Sequence, residues 1–237
     1  MHGRRRLRGA GAVAAGVVVG TGAVMMVLGA AGAGCASTKI ALKERFGYAK
    51  REQLVDNVKA ARDQQQEAKE QFASALDEFL AVTNMRGNVA DLEARYSRLK
   101  TAYERSEREA EDVRRRIRDV ERVADALFAE WKRELGEYES ESLRRASERQ
   151  LEETRVRYNG LLRAMKDAES KMAPVLAAFK DQVLFLKHNL NARAIASLQG
   201  TAAEIQGDVE RLIREMEESI AEADAFVREM EAGAGAG

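Results

Sequence analysis

Between Val89 and Trp131 the apolar residues fall at Val89, Leu92, Tyr96, Leu99, Tyr103, Ser106, Ala110, Val113, Ile117, Val120, Ala124, Leu127 and Trp131. The steps alternate three and four without a break, the spacing of a heptad seam. Ser106 is the single residue in the series without an apolar side chain. Nearly everything between seam positions is charged, as in Glu107-Arg108-Glu109. Pairs one turn apart, such as Glu104/Arg108 and Asp112/Arg116, each add a few tenths of a kcal/mol. Such a stretch folds as a long helix that must bury one stripe against partner helices.

The rest of the chain repeats the pattern. Leu54, Val58, Ala61, Gln65, Ala68, Phe72, Ala75, Phe79 and Val82 form one seam. Leu151, Thr154, Tyr158, Leu161, Met165, Ala168, Met172, Val175, Phe179, Gln182 and Leu186 form another. The last runs through Ile195, Leu198, Ala202, Ile205, Val209, Leu212, Met216, Ile220, Ala223 and Val227. These spacings predict helices over about 48–84, 88–138, 142–188 and 192–231. Breaks fall at Asn84–Asn88, Gly136–Ser142 and His188–Asn191, where glycine, serine and asparagine supply cap and turn chemistry. Pro174, the only proline, lies on the third seam in register and predicts a kink there. Short connections force consecutive helices antiparallel. The expected fold is all-α, an elongated up-down-up-down four-helix bundle over 48–231 with a flexible tail at 232–237.

With turns near 86, 140 and 190, this register places Gln65, Ser106, Pro174 and Gly207 at one height. A polar, underpacked waist is therefore expected, with Phe128, Trp131, Tyr138, Phe226 and Tyr48 on one side and Phe72, Tyr103 and Phe179 on the other. A polar core position most often specifies register, and a hinge is the other reading.

The first 34 residues have a different character. Arg4, Arg5, Arg6 and Arg8 precede an uncharged Ala/Val/Gly run over 9–34, the pattern of an export signal peptide. Cys35, the only cysteine, follows Gly32-Ala33-Gly34 and cannot form an internal disulfide. It is the expected lipidation site, with 35–47 as a lipid-anchored tether. Gly32 stands where such signals usually carry Leu, so cleavage near Ala33 or Ala36 and an uncleaved anchor remain alternatives. Ala36 after the cysteine suits the periplasmic face of an outer membrane.

Without the leader the chain has 35 basic and 39 acidic residues. No basic stripe is evident for phosphate binding, and no nucleic-acid role is expected. His2 and His188 are the only histidines. Zinc clusters, nucleophile–base pairs and Glu-x-x-His di-iron motifs are lacking from the sequence, so neither an enzyme nor a metal or cofactor is expected. The chemistry that gathers is at one end. Asn84, Arg86, Asn88, His188, Asn189, Asn191 and Arg193 come together at the turns far from the anchor. They form a candidate partner-binding tip, against the plainer reading that asparagine is simply good turn chemistry.

The segments Ala61-Arg62-Asp63-Gln64, Glu67-Ala68-Lys69-Glu70-Gln71-Phe72, Ala126-Leu127-Phe128-Ala129-Glu130-Trp131, Ser142-Leu143-Arg144-Arg145 and Lys187-His188-Asn189-Leu190-Asn191-Ala192-Arg193-Ala194-Ile195 together resemble a bacterial domain-of-unknown-function family. Its members are exported, lipoprotein-like helical coiled-coil proteins. The resemblance spans most of 48–228 and implies an envelope location and a helical fold, with no catalytic residue to transfer. The expected role is a cell-envelope lipoprotein acting as a rod or adaptor for an unidentified protein or envelope partner. The alternative is a membrane-surface or self-associating coiled-coil module, with a homo-oligomer completing the core if one seam lacks a partner.

Overall fold

The computed structural model describes the backbone of residues 34–84 and 91–234, and the side chains of 50–84, 91–191 and 193–232. Residues Met1–Lys39 and Ile40–Gly237 form two separate units, and the architecture below is that of the second. Four helices are described, α1 (Gly34–Thr83), α2 (Leu92–Glu134), α3 (Glu141–His188) and α4 (Ala192–Ala234), and the second unit holds all of them from Ile40 onward. A 3-10 turn, Leu135–Glu137, follows α2, and no strand occurs among the described residues.

Cross-helix pairs define the topology. Arg62 meets Asp224 and Lys69 meets Glu217, so α1 and α4 run antiparallel. Gln64 reaches Glu109 and Gln71 reaches the Ala102 carbonyl, so α1 and α2 are antiparallel neighbours. Arg114–Glu169 and Lys166–Glu121 do the same for α2 and α3, and Arg157–Glu229 for α3 and α4. The result is the expected antiparallel four-helix bundle. Its helices of 43 residues or more are about 65 Å long or longer at 1.5 Å per residue.

The α1 seam from Leu54 to Val82 is buried without exception. On α2 every described seam residue from Leu99 to Leu127 is buried, while Tyr96 and Trp131 are half-buried against the core. Phe79 and Phe179 meet edge-on at 6.2 Å, joining α1 to α3 across the core. Buried aromatic and aliphatic side chains of this kind supply roughly 1.5–3 kcal/mol each.

Two boundaries differ from expectation, the start of α1 and the end of α4. The latter runs to Ala234, into the stretch expected to be a flexible tail, while α3 runs through Pro174 as its seam predicts. Helical backbone begins at Gly34 rather than 48, through the stretch expected to be a tether. Ile40-Ala41-Leu42-Lys43-Glu44-Arg45 are good helix formers, and one interior glycine, Gly47, costs only about 1 kcal/mol. α2 starts at Leu92, and Asp91 precedes it without a side-chain cap bond. α3 passes through Pro174, which is exposed. Proline interrupts only one backbone bond, and Met172, Val175 and Phe179 on the buried face hold the helix together around it. At the α2–α3 connection Ser140 caps α3 by accepting from the Leu143 N–H, as the serines there predict.

Candidate functional site

The α3–α4 turn is built by its asparagines. α3 ends at His188. The Asn189 side-chain amide donates to the Phe185 carbonyl at 2.9 Å, and its own backbone N–H donates to the Leu186 carbonyl, closing the helix C-terminus. Asn191 then opens α4, its Oδ1 accepting from the Ala194 N–H at 3.1 Å as an N-cap. Both asparagines are thus occupied in turn and cap bonds. His188, Asn191 and Arg193 are exposed. Asn84, also exposed, forms the turn after α1 through its N–H to the Leu80 carbonyl. Arg86 and Asn88 lie outside the described residues. Gln199 of α4 donates to the Thr83 carbonyl at 2.8 Å and so ties the end of α1 to the start of α4. The described part of the tip therefore presents His188 and Arg193 on a frame of satisfied asparagines.

Just below the turn, α3 exposes Leu184 (48 %) and Phe185 (40 %), two of only five large apolar side chains so exposed among the described residues. The sequence pattern did not mark them. They sit between the buried Val183, which takes the inward place expected of Gln182, and Leu186, in a run that reads simply as the end of an apolar stripe.

The four residues expected at one height do not form a single layer, although two of them, Gln65 and Ser106, are buried polar positions. Gln65 and Ser219 are both fully buried, and the Ser219 hydroxyl donates to Gln65 Oε1 at 2.8 Å. Gln65 Nε2 is buried with no partner. Ser106 is fully buried and bonds the Ala102 carbonyl of its own helix at 3.1 Å, with the Gln71 carbonyl at 3.5 Å. It stands level with Gln71, six residues and about 9 Å along α1 from Gln65. Pro174 does not join the layer, because it lies on the solvent side of α3. Gly207 does not join it either. It is half-buried between Ile205 and Val209, and a Cβ there would meet only the Arg211 guanidinium, at 3.7 Å. Ser219 was missed because Ile220, the next residue, fits the heptad steps equally well. The helix phase buries Ser219 and leaves Ile220 at the margin.

The opposite end of the bundle uses its aromatic residues internally. Phe128 meets Tyr158 edge-on at 5.4 Å, and the Arg155 guanidinium lies over the Phe128 ring at 5.5 Å. Trp131 Nε1 donates to Ser147 Oγ at 2.8 Å, and Phe226 is buried. The side chain of Tyr48 lies outside those described, and Tyr138 is exposed with its neighbour Leu143. Arg51 donates to the Met230 carbonyl at 2.9 Å, placing a cation at the end of α4 where the helix dipole favours it. An open groove of about 480 Å³ runs beside it, lined by Arg51, Asp56, Lys59 and Glu231. Lys59 and Glu231 pair across it at 2.6 Å, so the groove has no charge of one sign to offer a ligand.

Several ionisable groups are displaced from their ordinary range. Burial, reinforced by a bond to Glu107, holds the Tyr103 phenol protonated far above its usual range; burial beside Glu121 and Asp125 does so for Tyr158. Burial raises the Glu109 carboxyl, and Glu67 and Asp112 add to it, against the Gln64 bond at 2.6 Å. Arg144 and then Arg145 lower the carboxyl of Glu141. These groups lie at separate points along the rod. No group of three or more His, Cys, Asp or Glu side chains able to hold a metal occurs among the described residues. No described helix is long and apolar enough to cross a membrane. The leader lies outside the described residues, as does the side chain of Cys35.

A search of the curated proteins finds no match. The model of the family described as "Protein of unknown function (DUF2959)" covers residues 40–230, nearly the whole of the bundle and the greater part of the chain, and the protein belongs to that family.

Proposed function

We propose that this protein is a non-enzymatic cell-envelope lipoprotein, a helical rod that presents its distal end to a partner in the periplasm or wall. The observation that carries the reading is the placement of the α3–α4 turn. Arg51 and Lys59 of α1 pair with Met230 and Glu231 of α4, so α1 rises from the end at which α4 finishes. The turn bearing His188 and Arg193 is at the other end, a helix length of about 65 Å away. The proposed anchor, Cys35, precedes Arg51 along the chain and so joins the bundle at the Trp131 end, the end opposite the turn.

The test is the intact mass of the protein recovered from its native membranes, beside a Cys35→Ala version. The expected species begins at Cys35 and carries added acyl mass that the variant lacks. A species beginning at Ser37, or retaining residues 1–34, sinks the anchor. The adaptor role is tested by a photo-crosslinking residue in place of His188. Arg193→Ala with Asn189→Ala is expected to lower the yield of one discrete adduct, whereas Asn191→Asp, which keeps the cap, leaves it unchanged. An unchanged adduct in the first variant removes the tip from the reading.

The second reading, attachment to a membrane surface through the base, rests on Tyr138 in the α2–α3 connection and Leu143 in the first turn of α3, 42 % and 60 % exposed. The other described aromatics of that end are engaged in the core or in a hydrogen bond.

A further inference from the structure

Charge is distributed unevenly along the α3–α4 hairpin. Between Glu169 and Glu204 the sequence has one acidic residue, Asp181, against Lys171, Lys180, Lys187 and Arg193. All four cations are exposed, and none is in an ion pair with a described residue. Elsewhere some cations cross to carboxylates of neighbouring helices, as in Arg62–Asp224, Lys69–Glu217 and Arg114–Glu169, and others, such as Arg108 and Arg118, have acidic residues beside them in the sequence. Within this unpaired field lie the exposed Leu184 and Phe185. Lys180, Leu184 and Lys187 follow at steps of four and three, as do Asp181, Phe185 and His188. Both rows therefore share the solvent side of α3.

An apolar pair flanked by free cations is the counterpart of an acidic surface carrying apolar side chains. A second copy docking through the same face presents the same positive sign and is disfavoured as the occupant. We infer that the distal outer face of α3, centred on Leu184 and Phe185, docks an acidic amphipathic segment of a partner protein. This rests on the adaptor reading above and moves the contact from the asparagine turn to the helix beneath it.

The test uses the full chain in neutral detergent micelles, with empty micelles as blank. Two labelled helical peptides of about 20 residues share one leucine pattern and carry either Glu or Lys at the polar positions. Fluorescence anisotropy is expected to show the Glu peptide bound about tenfold or more tightly than the Lys peptide, with the preference fading as salt rises from about 0.1 M to 1 M. Leu184→Ser with Phe185→Ser abolishes the binding. Lys180→Glu with Lys187→Glu reverses the preference, and Val156→Ser, at an exposed apolar site on the other half of α3, changes nothing. Unchanged thermal melts show that each variant folds. Equal binding of both peptides overturns the inference. So does capture of the chain by vesicles one-quarter phosphatidylglycerol with no capture of the Glu peptide. The His188 crosslink is read separately. If it persists in the Leu184/Phe185 variant, the docking face is wrong and the adaptor stands; if the wild-type chain gives no adduct, the adaptor itself fails.

Discussion

At the Trp131 end of the bundle, Phe128 meets Tyr158 edge-on under the Arg155 guanidinium, Trp131 is tied to Ser147, and Arg51 closes the end of α4. At the other end Phe79 meets Phe179 edge-on, both fully buried, and the directional ties between helices are Gln199 to the Thr83 carbonyl and an ion pair between Arg98 and Glu78. One end spends its aromatic and charged margins on fixing geometry. The other relies on buried apolar surface and leaves its margins, Leu184, Phe185, Lys187 and Arg193, facing water. The difference separates two tasks within one fold. Directional contacts fix the geometry near the base, and spare surface collects at the end where buried apolar packing carries more of the load.

The largest blow to that contrast comes from the distal core. Phe179→Ala removes a fully buried ring and is expected to cost about 3–5 kcal/mol in urea unfolding. Amide exchange should then accelerate more in the distal halves of α1 and α3 than around Phe128. Uniform acceleration along the rod would show that the two ends do not differ in how they are held.

The boundary between the ends is the Gln65–Ser219 pair. Replacing both, Gln65→Leu with Ser219→Ala, removes a buried amide nitrogen that has no partner, and should raise stability by about 1–2 kcal/mol. If the pair specifies register, as polar core positions do in coiled coils, the same change should admit dimers or alternative pairings visible in sedimentation. A more stable protein that stays a single species would remove the register role.

The smallest effect sharpens the electrostatic side. The folded state holds a proton on Glu109 to higher pH than the unfolded chain does, because burial and then Glu67 and Asp112 raise its carboxyl. Its contribution is therefore most favourable at low pH and is lost as pH rises from the ordinary carboxylate range through the raised folded value. Glu109→Gln should lift the melting temperature by about 1–2 °C at neutral pH and by nothing at pH near 3. The Gln64 bond persists, since the new side chain still offers a carbonyl. An equal gain at both pH values would place the cause outside this titration.

Much of the fold was legible because a heptad seam is a period, and a period survives single ambiguous residues. Gln65 and Ser106 were visible as polar letters in an apolar series, and both are buried. Ser219 was not visible, because Ile220 satisfies the same spacing and only the phase of α4 against α1 decides between them. Pro174 and Gly207 misled for the converse reason. A residue type that is unusual in a helix marks a position in the chain, not the face on which it falls. Leu184 and Phe185 were hidden inside an apolar run, where exposure depends on which side of the helix has a neighbour. The asparagines of the turn were readable as caps from their chemistry, and the bonds of Asn189 and Asn191 follow that reading.

The pairing of Arg51 and Lys59 with Met230 and Glu231 also has a practical corollary. Because Arg51 and Lys59 of α1 meet the last turns of α4, a label or reporter joined after α4 emerges at that end of the bundle and not beside the distal turn. A fluorescent fusion at that point would report on the base alone. Conversely, a short linker from the end of α4 back to the start of the bundle, with new chain ends opened at Gly136–Ser140, yields a permuted protein with the same helix order in space.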